Sequence, residues 1–144
     1  MNQKQELLKA FKICISAHAD QVDKAGKAYF LHPITIAMKA DNHNEMVVGL
    51  LHDVVEDSEW TMKDLEVEGF SRDIRAAVEA LTKLDGEPYE DYLIRLSKNK
   101  LATTVKLRDL THNMDPSRIK DIGPRDAARI LKYSNARRFL KEMK

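Results

Sequence analysis

Three carboxylates and an imidazole fall within six consecutive residues, His52-Asp53-Val54-Val55-Glu56-Asp57. Acidic groups pressed together repel one another when desolvated, and a divalent cation resolves that conflict. No Pro interrupts Met46 to Asp57, and Asn44 just upstream can cap a helix by accepting an N–H bond from its first turn. At about 100° per residue, His52, Asp53, Glu56 and Asp57 then share an arc of roughly 140°, with Val47, Val48, Leu50, Leu51, Val54 and Val55 filling the other side. Gly49 lies on the same stripe and is expected to leave open space one turn earlier. Such a stripe reads as the wall of a site. Taken alone, it reads equally well as a solvated polar face.

Two further positions carry matching chemistry. His32 stands immediately before Pro33, a residue suited to the first position of a helix, so the imidazole is expected to be held rigidly at a helix entrance. Asp109 and Asn113 border an apolar face made by Leu107, Leu110 and Met114, and Lys106 shares their face at i−3. A carboxylate beside a buried stripe needs partners, because burying it unpaired is expensive. His112 points well away from Asp109 on the same wheel and is left out of the site. Two imidazoles and two carboxylates from His32, His52, Asp53 and Asp109 suit a borderline-to-hard divalent ion such as Mn²⁺, Fe²⁺ or Zn²⁺. An ion held there can acidify a bound water toward neutral pH.

The elements that position these residues read as helices throughout. Leu7, Leu8, Phe11, Cys14, Ile15 and His18 recur at helical spacing, which predicts an amphipathic helix over 3–22 with His18 at its edge. A polar loop over 23–28 with Gly26 leads to a helix over 34–41. Thr61 with Asp64 resembles a capping arrangement for a short helix ending near Gly69, and Ser71 caps another, whose stripe is Ile74, Ala77, Val78 and Leu81. Pro88 opens the next helix, 101–114 forms another, and Pro124 opens the last. No strand pattern interrupts them.

Composition narrows the partners. The chain has 144 residues, enough for one ordinary domain spanning 1–144. Its 24 Lys and Arg and 23 Asp and Glu are interspersed, which argues against nucleic acid or an acidic membrane and for a small ligand. The single Cys14 suits a reducing cytoplasm, and no long apolar run suggests export or a membrane span. The oligomeric state is not readable.

His32-Pro33-Ile34, Leu50 through Asp57, Thr82-Lys83-Leu84 and Val105-Lys106-Leu107 through Asp109, His112, Asn113 and Met114 occur in an order that resembles the HD-domain metal-dependent phosphohydrolases. Among them the chain is similar to the RelA/SpoT-type hydrolase domains and the small stand-alone alarmone hydrolases. The resemblance implies an all-α fold with a metal site between helices. It implies that His32, His52, Asp53 and Asp109 bind one divalent ion, with Mn²⁺ first and Fe²⁺, Zn²⁺ or Mg²⁺ as alternatives. Glu56 and Asp57 would be the catalytic carboxylates, and Lys24 and Asn113 would contact the nucleotide. The reaction implied is removal of pyrophosphate from the 3′ position of guanosine tetra- or pentaphosphate. Asp23 and Asp115 stand where the family's pattern has basic residues. Two other readings stay open: a nucleotidase acting on another small phosphorylated metabolite, and a nucleotide-sensing module without turnover.

Overall fold

A computed structural model describes residues 1–119 and 121–143, and among them the regular structure is helical. Among the described residues nine α-helices follow in order: α1 (Gln3–Ala17), α2 (Leu31–Met38), α3 (His43–Leu51), α4 (Val54–Asp57), α5 (Met62–Val67), α6 (Arg72–Leu81), α7 (Tyr89–Ser97), α8 (Lys100–Asn113) and α9 (Pro124–Met143). A 3₁₀ turn, Pro116–Arg118, separates the last two. None of these helices is long and apolar enough to cross a membrane.

The fold is organised around α3, whose Val47, Val48, Gly49, Leu50 and Leu51 are all buried. Beyond its polar first turn α3 is apolar on every side and so belongs inside a core, and it accordingly packs against α1, α2, α6 and α8. Gly49 does not open space as expected. A Cβ there would stand 3.2 Å from the Ala37 backbone nitrogen and 3.2 Å from Ile36 Cγ2, so the missing side chain lets α2 and α3 touch. A second core joins α7, α8 and α9 through Tyr92, Leu93, Leu96, Leu110, Ala136 and Leu140.

Three boundaries differ from the expected ones. The first helix stops at Ala17 rather than near Val22, because residues 21–29 fold into a tight loop closed by a Val22–Ala28 bridge and by Asp23 N–H donating to the Lys27 carbonyl at 2.8 Å. Helix α2 starts at Leu31, so Pro33 occupies its third position, where the absent N–H lies in a turn that lacks intrahelical acceptors anyway. Asn42, not Asn44, caps α3 by accepting the Glu45 N–H at 2.9 Å. The Thr61–Asp64 capping box forms as read, with bonds of 2.8 and 3.1 Å.

The single helix predicted over 46–57 is broken. The Gly49 carbonyl, which a continuous helix would give to the Asp53 N–H, accepts from His52 Nδ1 at 2.6 Å. Asp53 then sits at φ −108° and ψ −1°, away from helical values, before α4 resumes the coil.

Candidate metal centre

Three elements meet where α3 breaks. His32 comes from the first turn of α2, His52 and Asp53 from the break, and Asp109 from the middle of α8. One ligand atom from each of the four lies within 4.8 Å of every other. His32 Nε2 is 2.7 Å from Asp109 Oδ1, and His52 Nε2 is 3.0 Å from Asp53 Oδ2 and 3.4 Å from Asp109 Oδ1. His32, His52 and Asp109 are buried and Asp53 nearly so.

The donor set fits a divalent cation on the evidence of one atom. A carbonyl can only accept, so His52 Nδ1 is the donor toward Gly49, and this pins the ring with Nε2 facing the carboxylates. His52 Nε2 is buried and lies close to both carboxylates, yet neither contact has the geometry of a hydrogen bond. A nitrogen held by its far side and aimed between two carboxylates has the form of a metal ligand.

Charge in the cluster is balanced by neighbours. Burial pushes the Asp109 carboxyl up, but the Lys106 ammonium at 2.9 Å and the two imidazoles outweigh it and hold Asp109 well below the carboxylate range. Burial likewise opposes ionisation of Asp53, yet His52 draws it down to about 2. Burial lowers His52, but Asp53 and Asp109 more than offset this and raise it well above its ordinary value. In His32 burial prevails and the ring is shifted toward the neutral form. Tyr29 donates to Asp53 Oδ2 at 2.5 Å, and burial followed by the Asp53 charge keeps its phenol protonated.

Glu56 and Asp57 lie at the exposed mouth, where Asp53, Glu56 and Asp57 again bring carboxylate oxygens within 4.8 Å of one another. Burial, then Asp53 and Glu56, push the Asp57 carboxyl up to about 6. Glu56 Oε1 accepts the Lys83 N–H at 2.8 Å. Asn113 donates to Asp109 Oδ1 at 3.0 Å and accepts from Arg118 Nη1 at 2.7 Å, which brings a guanidinium to the edge of the cluster. Lys24 lies farther out and pairs with Asp126 at the start of α9, 3.0 Å away.

The two reversed charges have local explanations. Asp23 Oδ1 accepts the N–H groups of Ala25 and Lys27, both at 2.9 Å, and so builds the turn that carries Lys24. Asp115 Oδ1 accepts the Ser117 N–H at 2.9 Å and caps the 3₁₀ turn that presents Arg118.

His112 points away from Asp109, as the helical wheel predicts, but reaches His32. Its Nδ1 lies 2.6 Å from His32 Nδ1 and the rings stack with centroids 4.9 Å apart, so it braces His32 on another helix without touching Asp109. No pattern within α8 reveals a partner on α2. Tyr29 was also missed, although its position at i−3 from His32 offered a signal. His18, expected at a helix edge, is fully buried with Nδ1 2.7 Å from Gln21 Oε1, and it packs beside Tyr29.

No protein-family model matches the chain. It is 30% identical to the bifunctional (p)ppGpp synthase/hydrolase SpoT of Escherichia coli K12 over 78% of its own length and 18% of that protein's. A guanosine-3′,5′-bis(diphosphate) 3′-pyrophosphohydrolase of Aquifex aeolicus is 25% identical over 76% of this chain and 17% of its own length. The chain thus spans less than a fifth of the length of these curated relatives. Among solved structures, a metazoan SpoT orthologue described as hydrolysing ppGpp has the same fold, with a TM-score of 0.71, 19% identity and coverage of 96% of this chain and 93% of that one.

Proposed function

Because the chain is a homologue of the SpoT-type (p)ppGpp hydrolases, we propose that it is a metal-dependent phosphohydrolase of nucleotides, with guanosine tetraphosphate its first substrate. Residues 1–144 act as one catalytic unit in the cytoplasm. The observation that carries the reading is the buried His52 Nε2, aimed without a well-formed hydrogen bond into a set of His32, Asp53 and Asp109.

In this reading His32, His52, Asp53 and Asp109 hold one divalent ion, Mn²⁺ by preference. When bound, the ion supplies Lewis acidity, polarising a phosphoryl oxygen and acidifying water. The chain's own groups manage the protons. Asp57, pushed up to about 6, is ionised at neutral pH and close enough to its titration to accept a proton from the attacking water and return one. Glu56, fixed through Oε1 by the Lys83 N–H, orients the water with Oε2. Water oxygen bonds to the phosphorus attached at the 3′ position, the bond from that phosphorus to the 3′ oxygen breaks, and that oxygen takes up a proton. The products are pyrophosphate and GDP, or GTP from the pentaphosphate. Asn113 and Lys24 contact the nucleotide.

A nucleotidase acting on another phosphorylated metabolite is the second reading, favoured by the acidic residues Asp23 and Asp115 at positions where the resemblance has bases. A panel of nucleotides assayed with added Mn²⁺ and chromatographic identification of products separates the two. Release of pyrophosphate and GDP from guanosine tetraphosphate supports the first, while turnover confined to other nucleotides replaces it with the second.

A further inference from the structure

Glu56 is exposed, yet its carboxylate is tethered, and the tether leads away from the metal cluster. Oε1 accepts the N–H of Lys83 at 2.8 Å. The carbonyl at the other end of that peptide unit belongs to Thr82 and accepts Arg95 Nη2 at 2.9 Å. A guanidinium and a carboxylate therefore engage opposite poles of one planar group, which turns as a unit because the peptide bond does not twist. Whatever fixes the Thr82 carbonyl fixes the direction of the Lys83 N–H.

Arg95 is itself locked. Its Nε and Nη2 bond Glu87 Oε2 and Oε1, both at 2.9 Å, in a forked pair, and Glu87 Oε1 also accepts the Leu84 N–H at 3.2 Å. Arg95 Nη1 lies 3.4 Å from the Glu79 and Ala80 carbonyls, which belong to the open end of α6. A helix C-terminus is the negative end of its dipole and disfavours a carboxylate docking beside it, so a cation placed over those carbonyls removes that repulsion from Glu56. Tyr92 completes the brace by donating to the Leu81 carbonyl at 2.7 Å. The Thr82-Lys83-Leu84 motif thus acquires a physical purpose through its backbone.

Given the reading of Glu56 as a catalytic carboxylate, we propose that Arg95 is a positioning residue that aims Glu56 through the Thr82–Lys83 peptide. Misplacing a reacting group by about 1 Å from a distance can cost roughly 10²-fold in rate. Arg95→Met should lower kcat on guanosine tetraphosphate by about that factor, with KM and Mn²⁺ stoichiometry unchanged. Arg95→Lys should lose most of the same rate, because a point charge cannot bridge Glu87 and the Thr82 carbonyl as a planar fork does.

The test is a double-mutant cycle with Glu56→Ala, read by kcat and by the Lys83 amide resonance in ¹H–¹⁵N NMR. In the Glu56→Ala background, changing Arg95 should have no further effect on rate, since no carboxylate remains to be aimed. A general structural role would instead lower both backgrounds by the same factor and overturn the proposal. The Lys83 amide proton should move upfield in Arg95→Met, Arg95→Lys and Glu56→Ala alike. That readout needs no substrate, so an unshifted Lys83 amide in the Arg95 variants refutes the proposal even if the enzyme proves to act on a different nucleotide. Inactivity on guanosine tetraphosphate with a shifted amide leaves the positioning intact and removes only the substrate reading. If Arg95→Met does not fold, Arg95→Lys supplies the same cycle.

Discussion

Replacing Lys106 with Met isolates the electrostatics of the metal centre, because Met retains the packing of the stem and deletes the charge. Lys106 Nζ is 2.9 Å from Asp109 Oδ2, with side-chain exposures of 14% and 5%. Removing one member of a buried ion pair costs about 3–5 kcal/mol, since the other charge is left uncompensated. The lower end, about 3 kcal/mol, applies here because His52 also faces Asp109 at 3.4 Å. Unfolding entropy is about 2.1 cal/mol/K per residue, roughly 0.3 kcal/mol/K for 144 residues, so Tm in excess chelator should fall by about 10 °C. A bound cation replaces the lost charge, and at saturating Mn²⁺ the deficit should shrink to about 1 kcal/mol, that of one hydrogen bond. By linkage, Mn²⁺ should bind the variant about 2 kcal/mol more tightly, roughly 30-fold. Calorimetric melting with chelator and with Mn²⁺, together with a titration of the metal, measures each quantity. An equal loss of Tm in both states, or weaker Mn²⁺ binding by the variant, would show that Lys106 and the cation do not neutralise the same carboxylates.

His112→Ala should weaken Mn²⁺ binding by about 10–100-fold while leaving the helical circular dichroism unchanged, because the brace on His32 is lost; unaltered affinity in a metal titration removes that role. Asp53 and Asp109 outweigh burial and keep His52 protonated, so metal binding must displace a proton, and the affinity should fall as pH is lowered. Calorimetry in buffers of different ionisation enthalpy counts that proton, and a buffer-independent heat contradicts the expectation. Asp57 is pushed up to about 6 by burial and by its acidic neighbours, so it is protonated and inactive as a base below that pH, and kcat/KM should rise as pH passes through it. Asp57→Asn should lower kcat by about 10²–10⁴-fold and abolish that limb, with metal content retained; a variant that keeps the limb assigns it to another group.

Much of the fold was legible because helices write their period into the chain. The Ile74, Ala77, Val78 and Leu81 stripe is buried as read, and the Thr61–Asp64 box caps its helix. The candidate ligands were legible for a different reason: His52 and Asp53 are adjacent and stand amid apolar residues, where such groups need a partner. What the sequence hid was the break at His52, because a side chain competing for its own helix's carbonyl leaves the apolar pattern untouched. Gly49 misled for a related reason: an absent Cβ signals either open space or close approach, and only the neighbouring helix decides which. The His112–His32 and Glu56–Lys83 contacts join residues 80 and 27 positions apart, and no local spacing encodes either. The acidic residues at 23 and 115 read as charge reversals, whereas in the fold both carboxylates cap backbone turns.

We propose that one divalent ion, held by His32, His52, Asp53 and Asp109, makes this chain a hydrolase of guanosine tetraphosphate. It is tested most directly by following pyrophosphate release against added Mn²⁺ for the wild-type protein and for Asp109→Ala, with the bound metal counted in the same samples. The wild type should bind one equivalent and release pyrophosphate and GDP in proportion to occupancy, and Asp109→Ala should bind little metal and release neither. Equal metal content in the two proteins, or hydrolysis by the wild type that persists in excess chelator, would rule out this metal centre as the source of activity.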